Sequence, residues 1–510
     1  MKNQLIQKHL DRKIFFLILF LTFTIFLFTS SGHRFTSDDF LAYQQADRLF
    51  TQTPIENFVM GETKPGLQAF GSIKISYPAC QNPILCSAVP IGYSTSFIPF
   101  IVIENLFHLI PNYEFTQSDF DDSHYVYWRN SLTNEETFSF LLYGPIFSAL
   151  SASILFSLTR LYGFNPRIGF SISLLYAFST ISFAYSSTGL NIVPGTFVIL
   201  LSFYFYKKFD LQNKSIDIIL CSMTMGFSLL LRNDFIIFSL MTSFFLIYLF
   251  LKRKQKIKNF LFLFIPILFY GMIIFQINSI EFGSPFLSEY TNKNGIDIIS
   301  SNFPIYEGIV GLLFSPGAGL FIFSPILLLI FISFFDFYKI DKQSVILVLS
   351  FMITIIFFYG SLSTWHGFVS WGARYLVPLT PFLLLMISAS LSTRKNKLFY
   401  LLISSLAIIG FFINLLWQIQ DVSWFVWGPF GGNTGLFSLG IAGLHPLNLN
   451  PLVFWTFEYS QLIKAMILAF TNFQPDMYLF KVWGIVPSSV VLVSVLAILS
   501  FKLKSLLKLQ

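Results

Sequence analysis

The chain has 510 residues, 55% of them hydrophobic and only 11% charged, with 32 Lys and Arg against 25 Asp and Glu. A soluble domain carries about a quarter charged residues, so this composition excludes an ordinary soluble enzyme, a disordered chain, a coiled coil and a disulfide-stapled mini-protein. Phe alone supplies 66 residues, and the net charge of +7 sits in short clusters between apolar runs, such as Lys252-Arg253-Lys254 with Lys256 and Lys258. That is the pattern of loops between membrane spans, and it excludes a basic nucleic-acid-binding face.

A helix needs roughly 17–25 apolar residues to cross a bilayer. The first candidate runs from Ile14 to Ser30 and reads as a retained anchor, because no small-residue cleavage site follows a short apolar core. Further spans are expected at 137–159, 168–188, 191–206, 216–233, 235–251, 260–278, 318–335, 343–361, 375–391, 398–416 and 484–503, twelve in all. The stretch Ile91 to Ile110 is apolar but holds Pro99, Glu104, Asn105 and His108. If it does not cross, 22 of the 32 positive charges fall on one face together with only five acids, Asp11, Asp210, Asp217, Asp336 and Asp341. The positive-inside bias then makes that face cytoplasmic, with both termini on it, and leaves 91–110 lying in the outer interface.

The expected fold is therefore an all-α polytopic membrane protein of about 12 transmembrane helices. Residues 1–30 form the first span and 31–136 a large extracytoplasmic loop with interfacial helices. Residues 137–416 form a bundle of about ten helices, 417–483 a second outer loop, and 484–510 the last span with a basic cytoplasmic tail.

The first outer loop opens with Ser37-Asp38-Asp39-Phe40-Leu41-Ala42-Tyr43, in a stretch whose apolar positions recur at helical spacing. Ser37 or Asp38 would cap that helix, and the bland account is that the two acids do nothing more than favour its positive end. Further on, Cys80 and Cys86 lie six apart on the oxidising side, which suits a small disulfide loop. Two free thiols remain an alternative, and a metal pair is the weaker one, with no further Cys or well-spaced His nearby.

Most outer Trp and Tyr residues read as an interfacial belt. Arg374, in Trp371-Gly372-Ala373-Arg374-Tyr375-Leu376, is a cation at the end of a span, and Arg232-Asn233-Asp234 sits similarly between two spans. Charges at that depth default to function, although Arg232 and Asp234 could simply neutralise each other. There is no Walker loop, dinucleotide Gly fingerprint or Gly-x-Ser-x-Gly elbow. Energy or activated groups must then come from the membrane or from a gradient.

The order of these outer motifs resembles the polytopic GT-C glycosyltransferases, in particular the phospholipid-carrier-dependent enzymes that include protein O-mannosyltransferases and aminoarabinose transferases. Asp38-Asp39 stands where that family carries an acidic pair after the first span. Tyr185-Ser186-Ser187-Thr188-Gly189-Leu190, Phe282-Gly283-Ser284-Pro285, Leu313-Phe314-Ser315-Pro316-Gly317 and the Trp371–Leu376 segment are similar to other stretches of its members. The chain departs from many relatives at Asn191-Ile192-Val193-Pro194, where they carry an acid, and in the Cys80–Cys86 insert.

The resemblance implies an inverting transfer of sugar from a polyprenyl- or dolichyl-phosphate donor to an acceptor hydroxyl at the outer face of the cell membrane. It implies Asp38 as general base with Asp39 orienting it, and Arg374, Arg232 and Lys64 as partners of the leaving phosphate. Tyr43, Trp365, His366 and Trp371 would meet acceptor or sugar, and Phe97, Phe100 and Phe107 would line a lateral entrance for the lipid. A protein, lipid or glycan acceptor fits equally. Asp38, Asp39 and His124 could hold a divalent ion, and the family includes members that need none. The rival reading is a transporter or lipid-linked sugar flippase, but transporters show repeated halves, and no repeat is seen here.

Overall fold

The computed structural model describes residues 2–33, 37–52, 89–107, 134–288, 304–367, 370–419, 451–471, 473 and 475–508. Apolar surroundings force backbone groups to bond within their own segment, and the described chain is accordingly built of helices. In order these are α1 (Lys2–Thr29), α2 (Ser37–Thr51), α3 (Ile91–Thr95), α4 (Ile98–Phe107), α5 (Asn134–Leu161), α6 (Pro166–Ser179), α7 (Ile181–Tyr185), α8 (Ile192–Gln212), α9 (Ser215–Leu231), α10 (Ile236–Lys252) and α11 (Ile257–Phe282). They continue with α12 (Ile305–Phe314), α13 (Leu320–Phe323), α14 (Ile330–Tyr338), α15 (Lys342–Gly360), α16 (Thr380–Thr393), α17 (Lys397–Ile419), α18 (Pro451–Trp455), α19 (Gln461–Thr471), α20 (Tyr478–Trp483) and α21 (Ile485–Lys508).

Nine helical stretches among the described residues are long and apolar enough to cross a membrane. This is an all-α polytopic membrane protein. The other three expected spans depart from a plain rod. The 216–233 candidate is the 17-residue α9. The 168–188 candidate is split at Thr180, whose extended backbone separates α6 from α7 while its Oγ1 accepts from the Ser182 amide. The 318–335 candidate is split at Ser324 between α13 and a 3-10 turn, Pro325–Leu329, that leads into α14.

The two breaks meet. Ser324 Oγ accepts from the Ile181 amide at 2.8 Å, Asn414 donates to the Phe323 carbonyl at 2.8 Å, and Gln418 donates to the Phe183 carbonyl. Side chains from neighbouring helices thus satisfy the backbone groups that each break frees, which is what non-helical backbone at membrane depth requires. Sequence hydropathy is blind to such breaks because Ser and Thr interrupt an apolar run only weakly.

The span beginning at Arg374 is 83% buried, whereas α11 and α21 are each 6% buried. The first is therefore the axis of the bundle, and the other two present Phe264, Leu268, Phe269, Val490 and Val493 outward, where lipid is their solvent.

At one end of the bundle all five acids assigned to the basic face are ion-paired. Arg160 meets Asp11 at 3.0 Å, Lys207 meets Asp210 at 2.8 Å and Asp341 at 2.6 Å, Lys208 meets Asp217 at 3.0 Å, and Arg394 meets Asp336 at 3.0 Å. Arg253 adds a second partner for Asp210. These pairs join the ends of six long helices with the α14–α15 turn, so the clusters read from the sequence come together at one end of the bundle. Within its described part, 91–107, the stretch divides into α3 and α4, and the longer of these has ten described residues, about 15 Å, less than a bilayer crossing needs.

Gly144, midway along α5, lets the turn after α7 pack directly on the helix. A Cβ there would lie 2.4 Å from the Ser186 carbonyl oxygen and 2.6 Å from that of Thr188. Gly144→Ala should destabilise the purified protein by about 1–3 kcal/mol. Gly271→Ala on α11, where a Cβ meets nothing within 4 Å, should be neutral or stabilise by up to ~1 kcal/mol. Thermal unfolding of the two variants checks the contrast.

Candidate active site

α2 starts at Ser37 and carries Asp38 and Asp39 in its first turn, where the positive end of the helix favours carboxylates. The residues before Ser37 and the Ser37 side chain lie outside the described residues, and with them the cap of this helix. Successive helical positions point about 100° apart, and the two acids diverge accordingly. Asp39 is fully buried against Gly189, where a Cβ would come within 3.1 Å of its own, while Asp38 is exposed.

A small aromatic core fixes α2 in this pose. Ala42 and Ala46 are buried, the Tyr43 ring packs on Phe97 and Phe140, and the Tyr43 hydroxyl reaches toward Glu104 at 3.4 Å. Glu104 in turn accepts from the Ser139 amide and hydroxyl at the start of α5. Ser94 donates to Gln45, and Tyr93 donates to the Gly189 carbonyl at 2.9 Å. Phe97 stacks on Tyr143 with centroids 4.0 Å apart and Phe100 packs on the same ring. Both are buried in this core among the described residues, and the Phe107 side chain lies outside them.

Opposite Asp38 stands the segment 366–376. Gly367 and Gly372 adopt φ of +74° and +66°, values that glycine alone reaches without strain. Beside the first of them is Arg374: a Cβ on Gly367 would sit 3.4 Å from its Nε. The guanidinium lies 5.3 Å from the Tyr375 ring centre and has no ion pair or hydrogen bond among the described residues. Its electrostatic neighbours are Asp38, Tyr375, Tyr185 and the second cation Arg232. The sequence pairs Asp38 and Arg374 only through resemblance, since 336 positions separate them. The fold brings them to one site.

Two flanking groups are tuned by this setting. Burial, with the carboxylates of Asp39 and Asp38 adding to it, pushes the Tyr93 hydroxyl well above its ordinary range, so it stays a protonated donor. His366 is buried, stacks on Phe454 with ring centres 4.3 Å apart, and is pulled down to about 3 by desolvation and then by Arg374. It is a neutral imidazole at physiological pH.

Arg232 is differently placed. Its Nε and Nη2 grip both Asp234 oxygens at 3.0 and 3.2 Å, Nη1 donates to Asn191 at 2.9 Å, and Nη2 also reaches the Tyr359 hydroxyl at 2.9 Å. Mutual neutralisation of Arg232 and Asp234 is what the geometry shows. Asn191, the departure noted in the sequence, is committed to this network.

Of the aromatic candidates, Trp371 is fully buried between Phe323 and Trp417. Trp365 is wedged against Gly311 and Phe454. Both are packed against protein on the sides these contacts occupy. Tyr43 likewise belongs to the α2 core. Tyr93, Tyr185, Tyr359 and Tyr375 carry hydroxyls toward the site and read in the sequence as belt residues; only their nearness to charged positions in the motifs could have marked them. Lys64, Cys80, Cys86 and His124 lie outside the described residues, and the described cysteine Cys221 is buried and free. Among the described residues no group of three or more His, Cys, Asp or Glu is placed to hold a metal ion.

A histidine whose folded pKa is depressed costs stability as pH falls. The unfolded chain takes up the proton near 6.5 and the folded site refuses it down to about 3. Between pH 7.5 and 5 this amounts to about 2 kcal/mol. His366→Phe should therefore flatten the loss of thermal stability over that interval relative to the parent protein, as read by melting temperature against pH.

No protein-family model and no curated protein matches the chain. Among solved structures it is similar to ArnT from Cupriavidus metallidurans bound to undecaprenyl phosphate, with a TM-score of 0.48 and 12% identity over 89% of this chain and 74% of that one. The apo state of the same protein gives a TM-score of 0.47 and 11% identity over 89% and 73%.

Proposed function

We propose that this chain is a membrane glycosyltransferase that moves a sugar from a polyprenyl-phosphate donor to an acceptor hydroxyl, at the end of the bundle opposite the ion-paired basic face. The observation that carries the reading is the pairing of an exposed carboxylate, Asp38, with a half-buried guanidinium, Arg374, that has no partner among the described residues. A cation held below the surface without an acid is costly unless an anion arrives to meet it. A lipid phosphate supplies that anion at membrane depth.

The chemistry follows from the placement. Asp38 takes the acceptor hydroxyl proton as its oxygen attacks the anomeric carbon. The bond from that carbon to the phosphate oxygen breaks, and the released phosphate keeps its electron pair against Arg374. Direct attack inverts the anomeric centre. Asp39, packed on Gly189 with Tyr93 alongside, holds the start of α2 and with it the base. Arg232 carries no net charge with Asp234, so the phosphate falls to Arg374 rather than to both. The basic end is assigned to the cytoplasm by its lysines and arginines, which puts the site outside.

The rival reading as a lipid-linked sugar flippase draws on the broken helices at Thr180 and Ser324, since discontinuous helices mark transporter sites. Here the breaks are filled by Ser324, Asn414 and Gln418, and no ionisable side chain takes part. Membranes incubated with radiolabelled polyprenyl-phosphate sugar separate the two. Asp38→Asn should lower transfer about 10²–10⁴-fold while donor binding stays close to that of the parent, and Arg374→Gln should weaken donor binding itself. Sugar-lipid movement across the membrane without transfer would establish the flippase instead.

A further inference from the structure

Arg374 is aimed by a stack of rings whose far end is clamped by charge. The Tyr375 ring, beneath the guanidinium, lies face to face with Tyr359 at 3.9 Å and 5°. The Tyr359 hydroxyl donates to Asp234 Oδ2 and accepts from Arg232 Nη2 at 2.9 Å. Arg232 also holds Asn191, whose own amide donates to the Leu231 carbonyl at 3.2 Å. Four separate pieces of chain meet here: the turn before α8, the joint between α9 and α10, the last turn of α15 and the 3-10 turn Arg374–Leu379.

Each part has a physical reason to be what it is. Two guanidiniums close enough to repel would push Arg374 away, and Asp234 removes that repulsion by neutralising Arg232 in a bidentate pair. A cation over an aromatic face is favoured, but only while the ring keeps its plane. A lone Tyr375 would rotate about its side-chain bonds. Stacked on Tyr359, whose hydroxyl is fixed at its tip by two charged groups, it has one plane to offer.

We infer that Tyr359, Tyr375 and the Arg232–Asp234 pair are positioning residues that hold Arg374 ready for the phosphate of the lipid donor. This rests on the reading of Arg374 as the phosphate partner and adds that its orientation is set before any anion binds. Arg232 is thereby moved from the list of phosphate ligands to the support of one.

The test uses the full-length protein in detergent with farnesyl phosphate as probe and farnesol as its neutral control. The parent protein should bind the phosphate and not the alcohol. Tyr359→Phe, which keeps the ring and loses the clamp, should weaken farnesyl phosphate binding roughly three- to tenfold, the equivalent of one typical net hydrogen bond. Tyr375→Leu should weaken it similarly, and Tyr375→Phe, which keeps the stack, should restore it. In an Arg374→Gln background Tyr359→Phe should have no further effect, because positioning residues act only through the group they position. Equal binding by the parent and Tyr359→Phe, or an equal loss with and without Arg374, overturns the inference and leaves the phosphate site standing. A parent protein that does not distinguish the phosphate from the alcohol removes both.

Discussion

A charge inside a membrane protein must be answered by another charge or by a ligand, and that constraint divides this molecule into two ends. At the basic end every one of the five acids is matched with lysine or arginine from another turn of the bundle. At the other end Arg232 has Asp234, while Arg374 has no ion pair among the described residues and Asp38 acts on it through space. The glycines at 367 and 372 and the stack of Tyr375 on Tyr359 surround that second guanidinium.

Hydropathy and charge made the bundle legible. Apolar runs of the right length report directly on the solvent around a helix, so nine of the twelve expected spans are matched by long apolar helices, and the other three by the 17-residue α9 and two broken helices. The parity argument that kept 91–110 out of the bilayer agrees with its division into two short helices. What escaped is what composition does not encode. The breaks at Thr180 and Ser324 depend on hydrogen bonds from Asn414 and Gln418, more than 80 positions away.

The site was legible in its charges and illegible in its aromatics. Asp38, Asp39, Arg374 and Arg232 stand out in an apolar sequence because ionisable groups are so rare there. Trp365 and Trp371 stand out equally and are buried, while Tyr93, Tyr359 and Tyr375 look like any interfacial tyrosine. An aromatic residue is equally at ease as core, belt or ligand platform, so only contacts separate these roles. The same holds for Asn191, which reads as a missing acid until its bond to Arg232 is seen.

The joined breaks at Thr180 and Ser324 also set the level at which the Arg374 segment packs. α6 climbs 14 residues, about 21 Å, from the basic end before it stops, which is short of a hydrocarbon slab of about 30 Å. Trp371 and Gly372 rest on Phe323 and Ile181 at that level, so the segment that carries Arg374 is seated on two interrupted helices rather than on the end of a continuous one.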